Sequence, residues 1–253
     1  MTILVLVLLG MAVGSFLNVV IHRVPRGESV VRPRSRCTRC AHPVRPMDNI
    51  PIVSWVFLRG RCRNCGTRIS SRYPMVEAAT ALLFAGAAVV LRGPVELVPA
   101  LVFVAAMMAV TFIDLDHMII PDSITLPGIL LGILAASLGW GIAPLDAVLG
   151  VLAGGGSLLA VGSIYRFATG RDGLGAGDIK LLAMVGAFLG PSGAFLTILA
   201  GSLAGTLVAA VGMARGGLHR TSELPFGAFL APGAVVVLFF GGRLVALYWG
   251  LVS

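Results

Sequence analysis

Charged side chains are scarce in this sequence: Asp, Glu, Lys and Arg together make up 12%, and lysine occurs once, at position 180. With 57% hydrophobic residues and a mean hydropathy of +0.97, that scarcity excludes an ordinary soluble domain. The one glycine-rich turn that ends in an acid, Gly173-Leu174-Gly175-Ala176-Gly177-Asp178, has no Lys-Ser/Thr pair after it. It also lacks the preceding strand and further glycine of a dinucleotide fingerprint, so neither a phosphate loop nor a Rossmann turn is expected. No basic stretch precedes the first apolar run and no Ala-x-Ala follows it. That run is therefore expected to be a retained span rather than a cleaved signal peptide. No internal repeat or low-complexity tract is evident.

What the chain does contain is a series of apolar runs, several of them close to the ~20 residues needed to cross a bilayer as helix. They fall at residues 3–21, 73–91, 95–113, 123–140, 145–165, 178–189, 194–214 and 226–249. The expected fold is all-α, a polytopic bundle of about eight transmembrane helices. Its expected parts are a first helix (1–22), a cytoplasmic cysteine-bearing insertion (23–72) and a seven-helix membrane domain (73–253). Gly10/Gly14, Gly150/Gly154 and Gly201/Gly205 have the GxxxG spacing that lets helices approach closely. Ser15 and Asn18 put polar groups near the inner end of the first span, for hydrogen bonding within the bundle or for a direct part in a site.

Twelve of the 18 arginines lie between Arg23 and Arg72, against only Glu28 and Asp48, a net +10. In a soluble chain an excess of cations could indicate nucleic acid. Beside a membrane span, clustered arginine marks a loop kept in the cytoplasm, with anionic lipid as its neighbour and no nucleic-acid partner expected. If this loop is cytoplasmic, alternation puts the 114–122, 166–177 and 215–225 loops there too. These four loops hold 16 arginines, whereas Arg92 and Arg243 fall outside.

All four cysteines lie in the basic loop, as Cys37-x2-Cys40 and Cys62-x2-Cys65, with 21 residues between the pairs. Paired knuckles at this separation suit a tetrahedral four-thiolate zinc site, whose closed ligand set indicates a structural role. Two disulfides are the alternative, disfavoured where thiols are kept reduced.

The acids carry the chemistry. Asp114 and Asp116 lie where the third span ends, and the partial negative charge of a helix C-terminus disfavours carboxylates unless another group holds them. Asp178 opens the sixth span, and the charge count puts it at the same boundary as Asp114. An ionisable group in a membrane segment costs at least ~2.5–3.5 kcal/mol on insertion scales, which makes it a site hypothesis with a partner to be found. Two neighbouring carboxylates can share a proton, one activating water while the other protonates or polarises a carbonyl, as in an aspartic hydrolase. Asp122-Ser123 occupies a position suited to capping the next helix. His117 suits a solvated or capping position, and Glu77 either interacts with the N-terminal dipole of its helix or contributes to a polar site. Gly175 and Gly177 would tighten the turn or admit an extended peptide without a side-chain clash.

Gly14-Ser15-Phe16-Leu17-Asn18-Val19-Val20-Ile21-His22-Arg23, the double CxxC, Arg72-Tyr73-Pro74-Met75-Val76-Glu77, the stretch from Asp114 to Asp122 and the Gly-x-Gly-Asp motif follow one another in order. Together they closely resemble type IV prepilin peptidases, the bifunctional leader peptidase/N-methyltransferases of bacterial membranes. The resemblance implies that Asp114 and Asp178 are the catalytic pair and that Asp116 stands outside it. It implies cleavage of prepilins or pseudopilins at the cytoplasmic face of the inner membrane, then methylation of the new N-terminus from S-adenosylmethionine. Gly175, Gly177 and Glu77 are the expected substrate-binding residues, and the four cysteines the expected zinc ligands. Two other functions fit the residues: a proton or cation transporter using the same acids, with the zinc loop as a regulatory tab, and a GxGD protease with other membrane clients.

Overall fold

In a computed structural model the described residues are 2–91, 93–170, 173–217, 219 and 222–252. Arg92, Arg171 and Arg220, which enter the charge count, lie outside them. The chain divides into two compact units, Met1–Arg92 and Gly93–Ser253. Among the described residues there is no β-strand, only two isolated bridges, Arg36 with Pro43 and Arg61 with Arg68. Six helices among the described residues are long and apolar enough to cross a membrane. The protein is thus an all-α, multi-pass membrane bundle.

The first unit pairs α1 (Thr2–Arg23) with α3 (Arg72–Val90). Glycine spacing sets how close they come: a Cβ at Gly10 would lie 2.6 Å from the Ala81 Cα, and one at Gly14 2.7 Å from the Glu77 Cα. Asn18 is buried and donates from Nδ2 to the Tyr73 carbonyl at 3.1 Å, so this polar group bonds within the bundle. Between the two helices lie the 3₁₀ turns Val24–Arg26 and Pro46–Asn49, the short helix α2 (Val53–Phe57) and the cysteine knuckles.

The second unit is built from α4 (Pro94–His117), α5 (Asp122–Ser137), α6 (Pro144–Thr169), α7 (Ala176–Ala214) and α8 (Gly227–Val252). At 39 residues, α7 would be about 58 Å long if straight, nearly twice the ~30 Å hydrocarbon thickness. It is not straight. Gly190 leaves helical geometry at φ 70°, ψ −176°, and Pro191 after it has no N–H to continue the ladder. Gly154 shows where the two limbs go, because its Cβ position lies against the Leu182 carbonyl and 3.3 Å from the Ala194 Cβ. Twelve residues of straight helix would hold those neighbours about 18 Å apart, so the limbs fold back on one another at Gly190. The expected sixth and seventh spans are therefore these two limbs, 176–189 and 191–214. At the break, the Trp140 indole N–H donates to the Phe188 carbonyl at 2.8 Å, satisfying an acceptor beside the interrupted ladder. Phe188 also stacks against Phe103 at 4.9 Å, which joins the bend to α4.

Helix α6 fits closely against the first limb. Cβ atoms built at Gly150 and Gly186 would each strike the other residue's carbonyl, so backbone meets backbone. The second limb meets α8 at Gly201, whose Cβ position is 3.1 Å from the Leu230 Cα. All three glycine pairs noted in the sequence thus lie in helix contacts.

The limbs have unequal lengths, and this sets the depth of the site. Counting from the bend, the first limb has ten fewer residues than the second, so its start is recessed by about 15 Å relative to Ala214. Asp178 lies in that recessed first turn.

Candidate active site and metal centre

Asp114 lies in the last turn of α4 and is only 4% exposed. A carboxylate at a helix C-terminus needs a donor, and the start of α8 provides one. The Ala228 N–H donates to Asp114 Oδ2 at 2.8 Å, with the Gly227 N–H directed at the same group. The first N–H groups of a helix have no intrahelical partner and carry the positive end of its dipole. The N-terminus of α8 therefore balances the C-terminus of α4 at this acid. Gly227 is required by closeness, since a Cβ there would stand 3.0 Å from Asp114 Oδ2.

Asp178 is half-buried in the first turn of α7. Its N–H donates to the Gly175 carbonyl at 3.1 Å, and its carboxylate accepts the Gly175 N–H in return, half of a capping box around that N-cap glycine. Gly175 has an ordinary φ of −70°, so the turn does not demand glycine for its backbone conformation. The demand comes from the carboxylate, whose Oδ2 would lie 3.0 Å from a Cβ at that position.

The two acids are close enough for their charges to interact. Ile120 lies between their supports: its Cβ is 2.9 Å from a Cβ built at Gly177, and its Cγ1 is 3.2 Å from one built at Gly227. Asp116 and His117 are exposed in the last turn of α4.

The capping role expected for Asp122-Ser123 is not observed. Pro121 occupies the N-cap of α5, with no side-chain cap, and both Asp122 oxygens accept from Lys180 Nζ at 2.7 Å. A capping carboxylate cannot also reach across to a partner helix, and here the cation two residues past Asp178 takes it. This ion pair joins the loop carrying Ile120 to the helix carrying Asp178.

The four cysteine sulfurs lie within 4.8 Å of one another, and all four cysteines are free. Cys37 and Cys65 Sγ are 3.8 Å apart, matching the edge of about 3.8 Å expected for a tetrahedron with ~2.3 Å metal–sulfur bonds. The knuckles share one backbone pattern. The Cys37 N–H donates to the His42 carbonyl and Cys62 N–H to Thr67, while Ala41 and Gly66, both at positive φ, donate back to Cys37 and Cys62. The His42 backbone N–H, then the Asn64 amide, hold the Cys40 thiol down at about 6. Arg63, inside the second knuckle, grips Asp48 through Nε and Nη2, at 2.7 Å for the shortest bond. The residues fit a tetrahedral metal.

Glu77 is buried in α3, where its Oε2 accepts the Ile52 N–H at 2.7 Å and its carboxylate also bonds Ser15. Ile52 holds φ +61°, a value that β-branched residues rarely adopt. Glu77, Ser15, Asn18, His22 and Arg23 border a cavity of about 970 Å³ within the first unit.

Fold and site together define a membrane-embedded helix bundle that brings two acids into one recessed site. The model of the bacterial peptidase A24 N-terminal domain matches residues 8–91, and that of the type IV leader peptidase family matches residues 101–210. Among similar proteins, the prepilin leader peptidase/N-methyltransferase of Aeromonas hydrophila is 37% identical, over 95% of this chain and 91% of that protein. The proteins of the same name from Myxococcus xanthus and Pseudomonas aeruginosa are 46% identical (88% of this chain, 68% of theirs) and 35% identical (97% and 93%). The chain belongs to the type IV leader peptidase family. No solved structure matches it.

Proposed function

We propose that the protein cleaves the leader peptide from type IV prepilins and pseudopilins at the cytoplasmic face of the inner membrane, then methylates the exposed N-terminus. The observation that carries this reading is the meeting of Asp114 and Asp178 at two helix ends, with α8 donating to Asp114. The pair would hold one proton between them. The ionised carboxylate takes a proton from water as its oxygen attacks the scissile carbonyl carbon, and the protonated one donates to the carbonyl oxygen. Collapse of the tetrahedral intermediate breaks the C–N bond, with a proton passing to the leaving amine. Products are a leader carboxylate and a new amino terminus. The Ala228 N–H fixes Asp114 Oδ2 beside Asp178. Gly175, exposed beside Asp178, leaves room for an extended peptide. Gly177 keeps Ile120 seated between the two supports.

The new amine needs a methyl donor, and S-adenosylmethionine carries a sulfonium cation. The 970 Å³ cavity is large enough for it, and Glu77 is the buried carboxylate on its wall. Glu77 and Asn18 would hold the donor there. Incubated in bilayers with a prepilin and S-adenosylmethionine, the protein is expected to release the leader and add a methyl group, both read by mass spectrometry. Intact prepilin, together with a proton or cation flux lost in Asp114→Asn, would establish a transporter instead.

The metal we assign to the cysteines is zinc, in a structural role. The 23–72 segment has little core, so the ion would supply much of its folding energy, ~10–16 kcal/mol apparent for structural zinc in small modules. Chelation, or Cys37→Ser, is expected to lower bound zinc from about one per chain to none. The segment's arginines should then become open to trypsin, as followed by peptide mapping. Unchanged resistance after complete zinc loss would show that the fold does not depend on the ion.

A further inference from the structure

The cysteine-bearing segment turns a row of apolar side chains outward. Met47 is 79% exposed, Ile50 49%, Val53 43%, Val56 60% and Phe57 83%. Val53, Val56 and Phe57, spaced three and four apart, share one side of α2, and Met47 in the 3₁₀ turn Pro46–Asn49 and Ile50 just after it are exposed before them in the chain. The other side is held to the segment itself. Ser54 is buried and donates to the Met47 carbonyl at 2.8 Å, and Trp55 Nε1 donates to Ile69 at 3.2 Å.

The depth of this row is fixed by one hydrogen bond. The Ile52 N–H, at the start of α2, reaches Glu77 Oε2, and Glu77 lies five residues into α3, about 7.5 Å along that helix from Arg72. Because α3 is long and apolar enough to span the membrane, α2 is fastened at the level where the helix enters the bilayer, not out in bulk solvent. Exposed Arg45, Arg59 and Arg61 flank the row, while the acid between them, Asp48, is already taken by Arg63. An apolar face at interfacial depth, edged with guanidinium groups, is the chemistry of a helix lying in the surface of an anionic leaflet.

We infer that the 47–57 stripe inserts into the headgroup and upper acyl layer of an anionic bilayer and seats the cysteine-bearing segment there. The test uses the full-length protein with Phe57→Trp, the parent's emission subtracted, in nanodiscs of phosphatidylcholine with or without phosphatidylglycerol. In each case the lipid is brominated near the glycerol end of its chains. The added tryptophan is expected to emit at shorter wavelength than in water and to be quenched, more strongly with phosphatidylglycerol. Hydrogen exchange of the unmodified chain provides a measurement free of the substitution, with slower exchange over 50–57 expected in the anionic discs. Emission typical of water without quenching, or equal quenching in both discs, would overturn the inference. So would exchange protection that arises only when a prepilin is added, which would assign the stripe to the substrate.

Discussion

Asp114→Asn and Asp178→Asn are each expected to lower cleavage of a co-expressed prepilin by at least ~10²–10⁴-fold, the range that one positioned acid or base contributes. Both variants should remain in the membrane at parental levels. Asparagine keeps the shape of the carboxyl group but can neither accept the proton from water nor return one to the carbonyl oxygen. It can still accept the Ala228 N–H through its amide oxygen, so the α4–α8 contact survives the change. Asp116→Asn provides the contrast within the same helix end, because Asp116 is exposed whereas Asp114 is buried. Processing by the Asp116 variant should match the parent. A gel shift assay for leader removal, with membrane content measured by immunoblot, separates loss of chemistry from loss of protein.

The second large effect concerns folding. Gly150→Leu should destabilise the bundle by at least ~3 kcal/mol, the upper end of ordinary overpacking, because its Cβ would strike the Gly186 carbonyl and backbone cannot rotate aside. Gly156→Leu, six positions further along α6, should be close to neutral, since nothing lies within 4 Å of a Cβ there. Thermal unfolding of the two variants in detergent reads the difference directly. Comparable melting would show that α6 and the first limb of α7 do not touch through backbone. The contact bears on function because α6 holds the limb that carries Asp178, and a displaced limb would separate the two acids.

Most of the fold was legible because membrane helices are set by hydrophobic length. The runs at 3–21, 73–91 and 145–165 correspond to Thr2–Arg23, Arg72–Val90 and Pro144–Thr169 with shifts of only a few residues. The turn between 189 and 194 was legible as a break between two apolar runs, and the three GxxxG pairs from spacing alone. Less legible was anything that depends on which backbone meets which. The donor to Asp114 is the Ala228 N–H, a group every residue but proline carries, so nothing in its side chain announces it. The discomfort of an acid at a helix C-terminus was readable, and it pointed to a missing donor without naming it. Ile120 is one more apolar residue in an apolar chain, and its place between Gly177 and Gly227 arises only when three helix ends converge. Asp122 was misread for a related reason. Local sequence favours the cap, while the ion pair with Lys180 spans 58 residues and has no local signature. The shortness of the sixth apolar run was visible. Its consequence, a recessed Asp178, needed the fold-back at Gly190.

Asp114 and Asp178 are expected to work as one catalytic unit. This is tested most directly by measuring single-turnover prepilin cleavage for the parent, each Asp→Asn variant and the double variant in the same bilayer. Groups that act together lose their effect together, so the double variant should be no slower than the slower single one. Losses that multiply, or substantial cleavage retained by either single variant, would contradict the account.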